Sequence, residues 1–144
     1  MSRVRVHGFS ISLDGFGTGE PQSLESPFGH AGQRLHEWML ETAAWHGNSG
    51  GTYGFASDLV HRSNQGVGAT IMGRNMFSPT RGAWDEEWKG WWGDNPPYHH
   101  VTFVMTHHPR PELEMEGGTV FRFVSGSPVE VLEMAREAAQ GQDV

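Results

Sequence analysis

Gly66-Val67-Gly68-Ala69-Thr70-Ile71-Met72-Gly73-Arg74-Asn75-Met76-Phe77 is the stretch around which the chain is organised. Ala69 to Met72 is a short apolar run between glycines, the pattern of a strand buried on both faces in a largely parallel sheet. The run stops at Gly73-Arg74, and Asn75 is placed to cap a helix that starts there. A buried strand feeding a Gly-Arg turn at a helix N-terminus suits a phosphate. Free backbone N–H groups and the helix dipole favour an anion, and Arg74 adds a fork of donors. The alternative is that Gly73 merely ends the strand and Arg74 points into water.

Upstream, Val4 and Val6 alternate with Arg3, Arg5 and His7, which predicts a strand with one buried face. The phase then slips: Phe9, Ile11 and Leu13 alternate with Ser10, Ser12 and Asp14, so Gly8 marks a bulge or a close backbone approach. Asp14-Gly15 ends this strand. Leu35, Trp38, Met39, Ala43 and Trp45 roughly keep helical spacing and predict an amphipathic helix over 33–46. A second short helix is expected over 56–64, with Ser57 or Asp58 near its start.

Downstream, Trp84, Trp88, Trp91 and Trp92 fall at i, i+4, i+7 and i+8, so they can line one face of a short helix. A satellite core or an oligomer contact explains them better than a lid over a flat ligand. Val101 to Met105 and Thr119 to Val124 read as two further buried strands. Ser127-Pro128-Val129-Glu130 is a capping box with proline at the first helical position, opening a helix over 128–140. Strands alternating with helices make this an α/β protein, and the length fits one domain over 1–144.

Composition bounds the partners. A net charge of −7 with no local Lys/Arg cluster argues against nucleic acid and anionic membranes, so an anionic ligand must be held by a few placed donors. Cysteine is absent, which removes disulfide and thiolate chemistry and fits a reducing cytoplasm. No apolar run approaches the ~20 residues of a membrane span.

The expected strands share a habit. Each ends in small or polar residues: Met72-Gly73-Arg74-Asn75, Met105-Thr106-His107-His108 and Val124-Ser125-Gly126-Ser127. In open α/β sheets ligands collect at the carboxyl ends of strands, and three such turns side by side make a shelf for a phosphorylated nucleotide. Neither G-x-G-x-x-G nor G-x-x-x-x-G-K-[ST] occurs, so the shelf would be of another kind. The nine histidines raise the question of a metal. However, His99-His100 and His107-His108 lie at opposite ends of a strand ~20 Å long, and no H-E-x-x-H is present, so no metal site is expected.

Three passages carry a resemblance: Ser12-Leu13-Asp14-Gly15, then Ile71-Met72-Gly73-Arg74 with Phe77, then Val101 to His107. In that order they resemble the dihydrofolate-reductase-like superfamily, in particular the C-terminal reductase domain of bifunctional riboflavin-biosynthesis enzymes. The resemblance implies a mixed, mostly parallel central sheet flanked by helices in three α/β/α layers. It also implies NADPH as cofactor, hydride transfer to a small heterocyclic or carbonyl substrate, and a homo-oligomer, often a dimer. By the same resemblance Gly73 and Arg74 hold cofactor phosphate. Thr106 and His107 contact the adenosine 2′-phosphate side, and Ser12, Leu13, Asp14 and Gly15 line the nicotinamide and substrate end. Asp58 corresponds to the carboxylate that binds folate in dihydrofolate reductases.

Asp14 is the first candidate for the acid or the substrate hydrogen-bond acceptor and Asp58 the second, although either can equally be a turn or helix-cap aspartate. There are two departures from the family pattern. Met76 stands where the family often has threonine, and the family's next strands, with a Gly-Gly turn, would follow Val144. Gln142-Asp143-Val144 therefore reads as the start of a strand that pairs with very little. A sheet edge beside Ala69–Met72 is expected to need covering, by more chain or by another copy. A nucleotide-binding module without turnover, or a partial domain completed by a partner chain, are the other readings.

Overall fold

The computed structural model describes residues 2–7 and 9–144. Gly8, where a bulge was expected, lies outside the described residues. In chain order the regular elements begin with a 3-10 helix (Gly32–Leu35), α1 (Glu37–Leu40) and α2 (Phe55–Ser63). Then come β1 (Ala69–Gly73), α3 (Arg74–Phe77), β2 (Val101–Met105) and β3 (Leu113–Glu114). A second 3-10 helix (Glu116–Gly118), β4 (Val120–Val124) and α4 (Pro128–Ala138) complete the series. Contacts divide the chain into two compact units, residues 2–5 with Gly66–Val144, and Val6–Gln65.

The first unit is built on a four-stranded sheet in the order β1-β2-β4-β3. β1, β2 and β4 run parallel and in step, so that Gly73, Met105 and Val124 lie side by side. The short β3, which the sequence did not signal, pairs antiparallel with β4 through Leu113 and Phe121. Alternation of side chains along the strands separates two cores. On one face Ala69, Phe103 and Val144 pack with Val131, Ala135 and Ala139 at the α4 end of the unit. On the other, Met72, Val104, Phe121 and Phe123 pack with Phe77, and Trp84, Trp88 and Tyr98 lie against them.

This second face is therefore covered by aromatic side chains from one helical turn and from irregular chain. Trp84 and Trp88 pack against this core as a satellite of it, whereas Trp91 meets Trp88 edge to face and Trp92 is exposed. No helix forms, residues 84–94 being turns and irregular chain. Gly90 gives the physical reason. Its φ of +102° is foreign to a right-handed helix, and a Cβ there would meet the Phe77 ring at 3.2 Å.

α4 forms as the sequence predicts, with both halves of the capping box made: Ser127 N–H donates to Glu130 Oε2 at 2.8 Å and Glu130 N–H to Ser127 Oγ at 3.3 Å. Beyond it, Asp143 and Val144 pair more fully than expected. Gly68 N–H donates to Asp143 O, and Asp143 N–H to Gly66 O; on the other side Val144 N–H donates to Arg3 O and Arg5 N–H to Val144 O. The Asp143 carboxylate accepts from the Arg3 backbone N–H and from both guanidinium groups. Those donors, the Arg3 N–H first and the Arg5 side chain next, lower its pKa to about 2.

The second unit departs most from expectation. Residues 9–13 form no strand, and Leu13 is fully exposed. Alternation sets a preference for faces, but a strand also needs a ladder partner for its N–H and C=O groups. The helix expected over 33–46 is broken into the 3-10 turn, the single turn of α1 and a run of turns. Thr42 helps end it, its hydroxyl donating to Met39 O and accepting from Trp45 N–H. α2 forms close to its expected bounds but is capped by Gly54, while Ser57 sits inside the first turn and accepts the Ala44 N–H at 2.9 Å.

Candidate functional site: an arginine pocket at the strand ends

Because β1, β2 and β4 are parallel and in register, their carboxyl-end turns lie together. They line a cavity of about 290 Å³ with Arg74, Met105, Thr106, His107, His108 and Gly126, to which the following loop adds Arg81 and Gly82. The shelf expected from three separate turns is thus assembled within one unit.

Arg74 is its central feature. All three side-chain nitrogens are buried and have no hydrogen-bond partner. The guanidinium carbon lies 3.8 Å from the centroid of the Trp84 ring, a close cation–π stack. Such a stack is worth roughly 2 kcal/mol when desolvated. An uncompensated buried charge costs several kcal/mol, so the ring offsets part of the cost and leaves the donors demanding an acceptor. A phosphate or carboxylate arriving edge-on would meet that demand.

α3 contributes less than its position promises. It is a single turn whose N-cap is Gly73, in extended conformation, and Asn75 lies inside the turn rather than capping it. One turn carries little dipole, so attraction for an anion rests on Arg74. Gly73 has ordinary φ, and a Cβ there would meet nothing within 4 Å, which leaves open space beside the turn. At α4 the capping box occupies two N-terminal donors with the chain's own Ser127 and Glu130.

Thr106 is buried, its N–H bonded to Val124 O and its hydroxyl accepting the His108 N–H at 3.0 Å. That hydroxyl keeps a proton to donate toward the cavity. His107 and His108 are exposed at the rim. The expected residues Arg74, Thr106, His107 and His108 are therefore brought together; Ser125 and Asn75 are exposed and do not line the cavity. Ser12, Leu13, Asp14, Gly15 and Asp58 belong to the other unit. Asp14 is exposed and accepts a hydrogen bond from the Ser12 hydroxyl at 2.5 Å, which lowers its pKa and suits an acceptor better than a proton donor.

No family model matches the chain, and no curated protein matches it.

Sequence reasoning missed Arg81 and Gly82, which come from a loop with no periodicity, and it assigned Trp84 to a satellite core rather than to a stack on Arg74. No local signal could have paired Trp84 with Arg74, which lies ten residues earlier. Among the described residues no group of three or more His, Cys, Asp or Glu is arranged to hold a metal ion. No described helix is long and apolar enough to cross a membrane.

Proposed function

We propose that this chain is an NADPH-dependent reductase of the dihydrofolate-reductase-like kind, akin to the reductase domain of riboflavin biosynthesis. One observation carries the reading: the buried Arg74 guanidinium without a hydrogen-bond partner, in a cavity at the carboxyl ends of three parallel strands. Arg74 and Arg81 would hold the 2′-phosphate of the cofactor, the Thr106 hydroxyl would donate to it, and His107 and His108 would flank it. The cavity is near the lower end of ligand-pocket sizes, which suits a phosphate with part of its nucleoside rather than a whole dinucleotide.

NADPH when bound supplies the hydride, so the protein needs no nucleophile of its own. Its residues bind, orient and exclude water, and Asp14 or Asp58 would accept a hydrogen bond from a small heterocyclic or carbonyl substrate. The remaining features of that family, a three-layer mixed sheet, a homodimer and a place in the cytoplasm, belong to the same proposal. A nucleotide-binding module without turnover is the second reading, favoured by the exposure of both aspartates.

The test is twofold. Calorimetric titration should show NADPH binding more tightly than NADH, and absorbance at 340 nm should fall with a substrate drawn from pterins, flavin precursors or quinones. Binding without turnover across that panel would favour the module. No binding of NADPH at millimolar concentration would end the proposal.

A further inference from the structure

Resting on the reading of the cavity as a phosphate site, we infer that Trp84 is the residue that positions Arg74 and so sets how well the site discriminates a phosphorylated ligand. An arginine with no hydrogen bond has no polar anchor to fix its orientation. The contact that defines the guanidinium of Arg74 is the Trp84 face at 3.8 Å. Stacking on a ring restrains the plane of the group while leaving its edge, where the N–H donors lie, open to an anion.

The platform is itself built. Trp84 Nε1–H donates to His108 O, which ties the ring to the far wall of the same cavity. Its edges meet Phe77 at 5.9 Å and Phe123 at 5.2 Å between centroids. The chain just after it is fastened by Arg110, whose guanidinium donates to the carbonyls of Asp85, Glu86 and Trp88. Trp88 Nε1–H adds a bond to Phe77 O at 2.8 Å, anchoring the loop to the end of α3. Trp84 is thus held by the aromatic core and by a backbone carbonyl of the cavity wall, and presents its face to Arg74. It is a positioning residue, acting on the ligand through Arg74.

The experiment uses two probes, 2′-phospho-ADP-ribose and ADP-ribose, titrated calorimetrically into the wild type, Trp84→Leu and Trp84→Phe. The readout is the ratio of their affinities, because a merely structural loss weakens both probes alike. Removing the ring face should lower the ratio about tenfold in Trp84→Leu. Trp84→Phe keeps a face but loses the indole donor, and should stay within about threefold of the wild type. If Trp84→Leu does not fold by circular dichroism, Trp84→Met takes its place with the same expectation. A ratio unchanged in the aliphatic variant, or lowered equally in both, would overturn the role of Trp84 while leaving the phosphate site standing. A wild type that binds the two probes alike would overturn the phosphate site, and the inference with it.

Discussion

Two arginines approach the Trp84 ring, and they are put to different uses. Arg110 lies 5.5 Å from the ring centroid with its side chain almost wholly buried; its two terminal nitrogens donate to the carbonyls of Asp85, Glu86 and Trp88, and Nε alone has no partner. Arg74 lies closer, at 3.8 Å, and its donors have no partner. Residue type, burial and aromatic neighbour are shared. The difference lies in where the terminal N–H groups go: an arginine whose two terminal nitrogens are taken up by its own chain fastens that chain, and one whose three nitrogens are all left over is available to a ligand. Arg3 and Arg5, both bonded to Asp143, fall with Arg110.

The contrast breaks most readily at Arg110. Arg110→Ala should destabilise the protein by about 3 kcal/mol, since it strips charge-assisted donors from three carbonyls at once. An unchanged urea midpoint would put Arg110 in the same class as Arg74. Arg74→Ala should do the converse. NADPH affinity should fall by roughly 1.5–3 kcal/mol, while the urea midpoint stays put or rises because an uncompensated charge has left the interior. Tryptophan fluorescence titration follows the first quantity, and unaltered NADPH affinity would remove Arg74 from the site.

Ser127→Ala sharpens the comparison as a control beside the cavity. Loss of the capping box should cost about 1 kcal/mol of stability with NADPH affinity unchanged, because the Ser127 side chain serves α4 rather than a ligand. A drop in affinity equal to that of Arg74→Ala would mean that the α4 terminus shares in holding the anion. The smallest effect is expected at Asp143. Its folded pKa, about 2, lies below the ordinary aspartate value of about 3.9, so the stabilisation is present above about pH 4 and is lost as pH falls through about 2. Asp143→Asn should flatten the acid limb of the stability curve over that window; an unchanged limb would show that the Arg3 and Arg5 pairing adds nothing.

The parts of the molecule legible in the sequence are those whose signals are local. β1, β2 and β4 are apolar runs that end at Gly73, Thr106 and Ser125, and α4 announces itself through Ser127, Pro128 and Glu130. Their turns gather four of the expected site residues because parallel strands in register must end together. What was not legible depends on partners distant in sequence. The alternation of Phe9, Ile11 and Leu13 says which residues could share a face but not whether a neighbouring strand exists. Likewise the tryptophan spacing matched a helix until Gly90, where proximity of the Phe77 ring and a left-handed backbone decide otherwise. The role of Trp84 was hidden for the same reason: its stacking partner lies ten residues back, across an irregular loop.

The two margins of the sheet are unequal, and this limits how copies of the protein can add to one another. At the far margin β3 is only two residues long, and the connection back to β4 is drawn tight by Met115 N–H on Thr119 O and by Arg122 on Glu112. A strand so short offers almost no template for a newcomer. At the other margin β1 has full length, and among the described residues its flank is paired only at its approach, where Val67 meets Asp143. Within this unit β1 is therefore the longer template for an added strand. Two sheets that met margin to margin at β1 would each use up that template, so the process would terminate at a pair instead of running on into a ribbon.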